Sequence, residues 1–354
     1  MMATQKPRGK STLSKSDRPM SSKLFGSVLA QVAAGLLLAA QPAPGLAAGT
    51  TPLLLDRTIP LGDVRGRIDH LAFDAARHRL LVAELGNGSI GVIDVGDGRL
   101  VHRIAGLRAP QGIAYLADND TVFVASAGDG TVRRYSGSDY APLGAVRLGE
   151  DADNLRIDPR AKQVVIGYGQ GAIAVLGPDG TKLAEVPLAG HPEAFQLDAQ
   201  GRQIYVNVPE AHEIAVLDRD NGRQIARWSL PSAGGNFPMA LDEAGARLLV
   251  VYRSPALLAV FAVQDGSVLA RVPTCGDADD ISLDPKRRRV YVSCGQGVVD
   301  VLQEDGRSYR ALARIPTRPG ARTSLFLPAL DRLLVAAPDT GTAGAAVLVF
   351  RPVD

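Results

Sequence analysis

Two cysteines and one tryptophan in 354 residues set the first limits on what this chain can do. Two thiols are too few for a disulfide scaffold or a four-cysteine zinc site. No Cys-x-x-Cys-His segment is present to attach haem covalently, and no Gly-x-Ser-x-Gly elbow presents a nucleophilic serine. A phosphate-cradling glycine loop is absent, as is any stripe of interleaved basic and aromatic residues suited to nucleic acid. Apolar runs of helical period ten or more residues long are also missing, which argues against stacked helical repeats. The longest apolar stretch, residues 24–40, is interrupted by Gly26, Ser27, Gln31 and Gly35 and is short for a membrane span.

What is present describes a globular chain, 46% apolar and 21% charged, preceded by an export signal. Lys6, Arg8, Lys10, Lys15, Arg18 and Lys23 precede the apolar stretch, and Pro42, Pro44 and the small residues Ala47 and Ala48 follow it. That order is the signature of a secretory leader spanning residues 1–48, which predicts a periplasmic or secreted protein with no transmembrane anchor in its mature chain. The formal net charge of +2 belongs to this leader. Residues 49–354 carry 33 basic and 36 acidic side chains, a net of −3, so the basic excess that a polyanion partner needs is missing there.

One pattern recurs along those residues: an apolar triplet ending in Asp, a short turn, then a run of β-branched residues. The clearest copies end at Asp74, Asp158, Asp198, Asp242 and Asp284, and two degenerate copies place Tyr115 and Pro328 at the same point. The seven anchors are spaced by 40 to 44 residues. Each unit continues through turns such as Gly86-Asn87-Gly88 and Gly128-Asp129-Gly130 into further short apolar runs. Four short strands per repeat, joined by tight turns, make one blade of a propeller. The reading is an all-β, seven-bladed β-propeller, a single domain over residues 49–354. Its last unit has only three strands, and residues 53–59 are expected to supply the fourth and close the ring.

Within this pattern, Ile204-Tyr205-Val206-Asn207 and Val290-Tyr291-Val292-Ser293 resemble the Tyr-Val-Thr-Asn repeat of the YVTN family of bacterial propellers. The resemblance implies a seven-bladed, often exported fold, in a family whose members mostly lack a defined reaction. A Gly-His…Trp-Asp pattern is absent, and the single Trp228 leaves out the tryptophan-docking repeats of quinoprotein dehydrogenases.

Chemistry in a propeller gathers where loops enter the innermost strands at one end of the central channel. Five residues before the anchors stand Asp69, Pro110, Asp153, Glu193, Phe237, Asp279 and Thr323; one position later stand His70, Gln111, Asn154, Ala194, Pro238, Asp280 and Ser324. Ring closure would bring Asp69, His70, Asp153, Asn154, Glu193, Asp279 and Asp280 to one channel mouth. Such an oxygen-rich cluster suits a hard divalent cation (Ca, Mg or Mn) held by Asp69, Asp153, Glu193 and Asp279, or a cationic ligand. The alternative is that these acids only cap turns by accepting nearby backbone N–H groups. The anchor aspartates are assigned that capping role alone, and His191 beside Glu193 offers a possible acid–base pair.

Cys275 and Cys294 fall in one blade, and strand pairing about the anchor Asp284 would set Cys294 level with Asp279, near Cys275. An exported chain favours a disulfide there, closing a loop of about 20 residues and contributing about 3 kcal/mol in the chain-entropy model. The functional expectation is a monomeric binding module presenting an acidic channel face to a small ligand, a metal ion or an envelope protein, with no nucleic-acid partner. The alternative is a metal-dependent, lactonase-like hydrolase using the channel carboxylates.

Overall fold

The computed structural model describes residues 51–199, 202–230 and 234–354. The proposed leader lies outside the described residues. Among those described, no helix is long and apolar enough to cross a membrane. The described residues form seven four-stranded antiparallel sheets, each a blade, and in six of them the strands lie side by side in the order of the sequence. Blades 1 to 6 comprise residues 71–105, 110–147, 152–187, 195–229, 234–273 and 278–316. Blade 7 joins Thr323–Leu327, Arg332–Ala337 and Ala346–Pro352 to Leu53–Pro60, which pairs antiparallel with the last strand and closes the ring.

The apolar alternation of each strand is buried between neighbouring blades. Leu80 and Val82 of blade 1 share one cluster with Leu334 and Val347 of blade 7, and Val299 and Val301 of blade 6 share another with Leu333 and Leu348. Tyr205 and Tyr291, the aromatic residues of the repeat motif, are fully buried in this layer. Tyr291 packs its ring 5.4 Å from that of Phe326 in the next blade, and its hydroxyl donates to the anchor Asp284 at 2.7 Å. The motif therefore carries the contact between blades.

The anchors cap as expected: Asp74 Oδ1 accepts the Ala76 and Arg77 amides at 2.9 and 3.1 Å, and Asp158, Asp242 and Asp284 repeat the arrangement. The register corrects the two degenerate anchors. Asp74 pairs with Arg79 and Asp284 with Arg289, whereas the equivalent pairs are Leu116 with Thr121 and Leu327 with Arg332. Leu116 and Leu327, not Tyr115 and Pro328, thus hold the anchor position. The backbone agrees. The last turn residue, four after the anchor, is left-handed in His78, Asp120, Lys162, Ala246, Arg288 and Asp331, with φ between 49° and 54°.

A second recurrent feature shapes the channel mouth. In blade 3 the register runs from Ala152–Tyr168 to Leu155–Ile166, so two residues, Asp153 and Asn154, face one. Blades 2, 5 and 6 shift register at the same place. In blades 1 and 4 the bulge is marked by hydrogen bonds: Asp69 N donates to Ala83 O while Ala83 N donates to His70 O, and Glu193 and Ala194 bracket Asn207 in the same way. A bulge turns successive side chains off strict alternation, and it is a recurrent device for aiming functional groups. It also explains the cysteine register. Asp279 is the extra residue, so Cys294 pairs with Ala278. The Cys275–Cys294 disulfide is present, with a Cα–Cα distance of 6.0 Å.

Candidate site at the channel mouth

The bulged residues stand at the end of the ring where loops enter the innermost strands. Asp69 is 1% exposed, Asp153 9% and Asn154 2%, with Glu193, Asp279, Asp280 and His70 partly buried beside them. Sequence reasoning missed the cations among them. Arg67 Nη2 lies 2.7 Å from Asp69 Oδ2 and 3.7 Å from Asp279 Oδ2. The charges of Asp69, Asp279, Asp153 and Glu193 together outweigh the burial of this guanidinium and raise its pKa. All four carboxylates proposed to hold a cation thus act on one internal arginine.

Arg253, at the end of the second strand of blade 5, stacks 3.8 Å above the Phe237 ring and donates to Ala278 O at 2.9 Å and Asp279 Oδ1 at 2.5 Å. The corrected anchor of blade 7 puts Arg322 at the level of the four acids, and it donates to Asp277 Oδ1 at 3.0 Å. Pro110 and Thr323 leave that level, and Gln111 joins it. The signal was in the sequence: Arg332-Leu333-Leu334-Val335 repeats Arg79-Leu80-Leu81-Val82 and places the anchor five residues before its arginine.

The two histidines bridge pairs of acids. His70 Nε2 is 3.7 Å from Asp69 Oδ1 and its Nδ1 is 3.8 Å from Asp280 Oδ2. Burial alone would lower its pKa, but Asp280 and Asp69 push it up to about 10. His191 Nδ1 meets Gly169 O at 2.6 Å, and its ring stands 3.7 and 3.9 Å from Asp151 and Asp153. Against burial, Asp153, the Gly169 carbonyl and Asp151 raise it to about 9. Burial pushes Glu193 up to about 8 with help from the Asp153 charge, and Asp279 up to about 7 with help from Asp69. Burial also raises Asp69. Desolvated, mutually repelling acids behave in this way.

No protein-family profile matches this chain, and no curated protein does so. Solved structures do. A chain of the Kuenenia stuttgartiensis hydrazine synthase superposes with a TM-score of 0.71 at 16% identity, over 81% of this chain and 96% of that one. A chain of a mitotic checkpoint complex superposes with a TM-score of 0.74 at 12% identity, over 92% and 99% respectively. The likeness is one of fold. At these identities the superpositions carry no residue role across.

Turn capping does not account for the mouth acids. Asp69 Oδ1 and Oδ2, Asp153 Oδ1 and Asp279 Oδ2 are buried without a hydrogen-bond partner, the Arg67 contact to Asp69 being close but misaligned. Asp280 does have a partner, accepting the Ser324 amide at 2.7 Å. Among the described residues no group of three or more His, Cys, Asp or Glu side chains is placed to hold a metal ion. Asp69 and Asp279 instead share a cation of the chain itself, Arg67, whose Nη2 lies 2.7 and 3.7 Å from them.

Proposed function

We propose that this chain is an exported, YVTN-type propeller that acts as a binding module, recognising an ammonium or guanidinium group of a small ligand at the channel mouth. The observation that carries the reading is the set of buried carboxylate oxygens on Asp69, Asp153 and Asp279 that, among the described residues, accept no hydrogen bond. Native interiors satisfy nearly all such groups, and each one left unmade costs about 1–3 kcal/mol, more when charged. A cationic donor entering the mouth would satisfy several at once and relieve the repulsion that raises Asp279 and Glu193. Arg67, about half exposed and 2.7 Å from Asp69 Oδ2, occupies the place such a donor would take. The disulfide and the leader-like residues 1–48 support an oxidising, extracytoplasmic setting.

Isothermal titration of the protein with propylamine and with methylguanidine tests this reading. Saturable binding, weakened at least tenfold in Asp153→Asn, is the expected result. Equal response to the neutral isostere propanol, or unaltered binding in Asp153→Asn, overturns it.

A further inference from the structure

Beneath the mouth, the innermost strands of all seven blades enclose a cavity of about 320 Å3. Its size is at the lower end of small-molecule sites, roughly 300–1,000 Å3. Much of the wall is apolar, with Ile113, Leu155, Ile157, Met239 and Ile281 among its residues. Into this space blade 3 directs Arg156, the second residue after the Asp153–Asn154 bulge.

The guanidinium is held in one orientation. Its Nη1 donates to Asn154 Oδ1 at 3.1 Å and to Leu155 O at 2.7 Å, and its plane packs near the buried Phe195 ring, 5.6 Å from the centroid. Among the described residues, Nε and Nη2 make no hydrogen bond and Arg156 makes no ion pair. These two nitrogens form the lateral edge of the fork, the edge that grips both oxygens of a carboxylate with two parallel bonds. Of the residues that line the cavity, Arg156 and His70 are basic and Asp280 alone is acidic. Burial lowers the Arg156 pKa more than Asp280 and Asp153 raise it, so its charge is incompletely compensated.

We propose that the central channel is a carboxylate-binding subsite with Arg156 as its recognition residue, so that the ligand of this propeller is a small zwitterion spanning channel and mouth. The zwitterion rests on the reading of the mouth as a site for cationic groups; the carboxylate subsite does not. The apolar wall between the two charged regions would take the short carbon chain that separates the ligand's termini, and the cavity volume limits that ligand to a small molecule. Arg156 itself binds; Asn154 is a positioning residue, because its side-chain oxygen leaves only the lateral edge of the fork free.

Titration calorimetry of the full chain with propionate, propylamine and β-alanine, in a buffer free of other carboxylates and primary amines, separates the claims. Propionate is expected to bind saturably, and Arg156→Gln to weaken it at least tenfold while changing propylamine affinity less than threefold. β-Alanine is expected to bind at least tenfold more tightly than either one-ended probe. Lack of saturable propionate binding by the unaltered protein overturns the subsite, as does unchanged affinity in Arg156→Gln. Inorganic phosphate binding more tightly than propionate overturns the carboxylate class. Should Arg156→Gln fail to fold, Arg156→Lys decides: it keeps the charge but not the lateral edge, and propionate affinity equal to that of the unaltered protein overturns the proposal. Propylamine failing while propionate binds would remove the mouth reading and the zwitterion yet leave the channel subsite standing; the reverse result removes the subsite and the zwitterion and leaves the mouth reading standing.

Discussion

At the end of the ring that carries the turns between first and second strands, acids meet arginines of the neighbouring blade. Arg77 bonds Asp74 within its own blade and reaches Asp120 in the next; Arg287 joins Asp284 to Asp331; Arg219 reaches back to Asp158; Arg247 holds Asp242 and Glu304. Hydrogen bonds from these arginines hold Asp120 and Asp331 below the usual carboxylate range, and those to Asp158 prevail over burial with the same result. At the other end, Asp69, Glu193 and Asp279 sit above that range, and buried oxygens go unpartnered. Both ends use the same residue types at repeat-related positions. One set pairs its charges in hydrogen bonds that lower the acids; the other, although arginines and histidines reach it, leaves buried oxygens of Asp69, Asp153 and Asp279 without a hydrogen bond, which is the arrangement expected of a site.

Removing a clamp should have the largest effect. Arg287→Ala takes a nearly buried guanidinium from the fully buried Asp284 and from Asp331, and is expected to cost about 3 kcal/mol in denaturant unfolding. At the mouth, Arg253 and Arg322 hold Asp279 and Asp277, and the Cys275–Cys294 bridge ties down the loop that carries Asp277. Cys294→Ser should cost about 2–4 kcal/mol and, unlike Arg287→Ala, should also weaken propylamine binding.

The pH profile should separate the two ends within one molecule. Glu193, Asp279, His191 and His70 have folded pKa values raised to about 8, 7, 9 and 10. Their contribution is fully present below the unfolded values and is lost as pH rises through the folded ones, so the melting temperature should fall steadily from about pH 5 to pH 10. The lowered Asp120, Asp158 and Asp331 contribute above about pH 4 and lose it on acidification, giving a separate acid limb. Calorimetric scans across pH 3–10 would check both limbs, and a flat alkaline limb would dissolve the contrast. The smallest effect is expected from Glu193→Gln. At pH 6 its melting temperature should match that of the unaltered protein to within a degree or two. At pH 9 it should be higher, because the variant no longer carries a buried charge there.

The sequence disclosed the ring more fully than the site. Repeat spacing, blade count and the closing strand were legible because strand alternation and turn glycines recur in every unit. The four mouth acids were legible too, since alignment on the anchor is geometric. Their partners were not. Arg67 and Arg253 come from a connecting loop and a second-strand end that the alignment did not compare, and Arg322 was masked by a one-residue slip at Pro328. The bulges were also hidden, because an inserted residue alters pairing without altering the repeat length. Cys294 was consequently placed one residue from its true partner.

The closing strand Leu53–Pro60 has a consequence for how the ring is made. Its partner Ala346–Pro352 is the last strand of the chain, so the first strand to be synthesised must wait unpaired until nearly everything else has been made. Contacts of such sequence separation are slow to form, and an open array would expose strand edges at both of its ends meanwhile. For a ring of this topology, keeping the chain unfolded until its last strand is available would be a form of protection against misassembly.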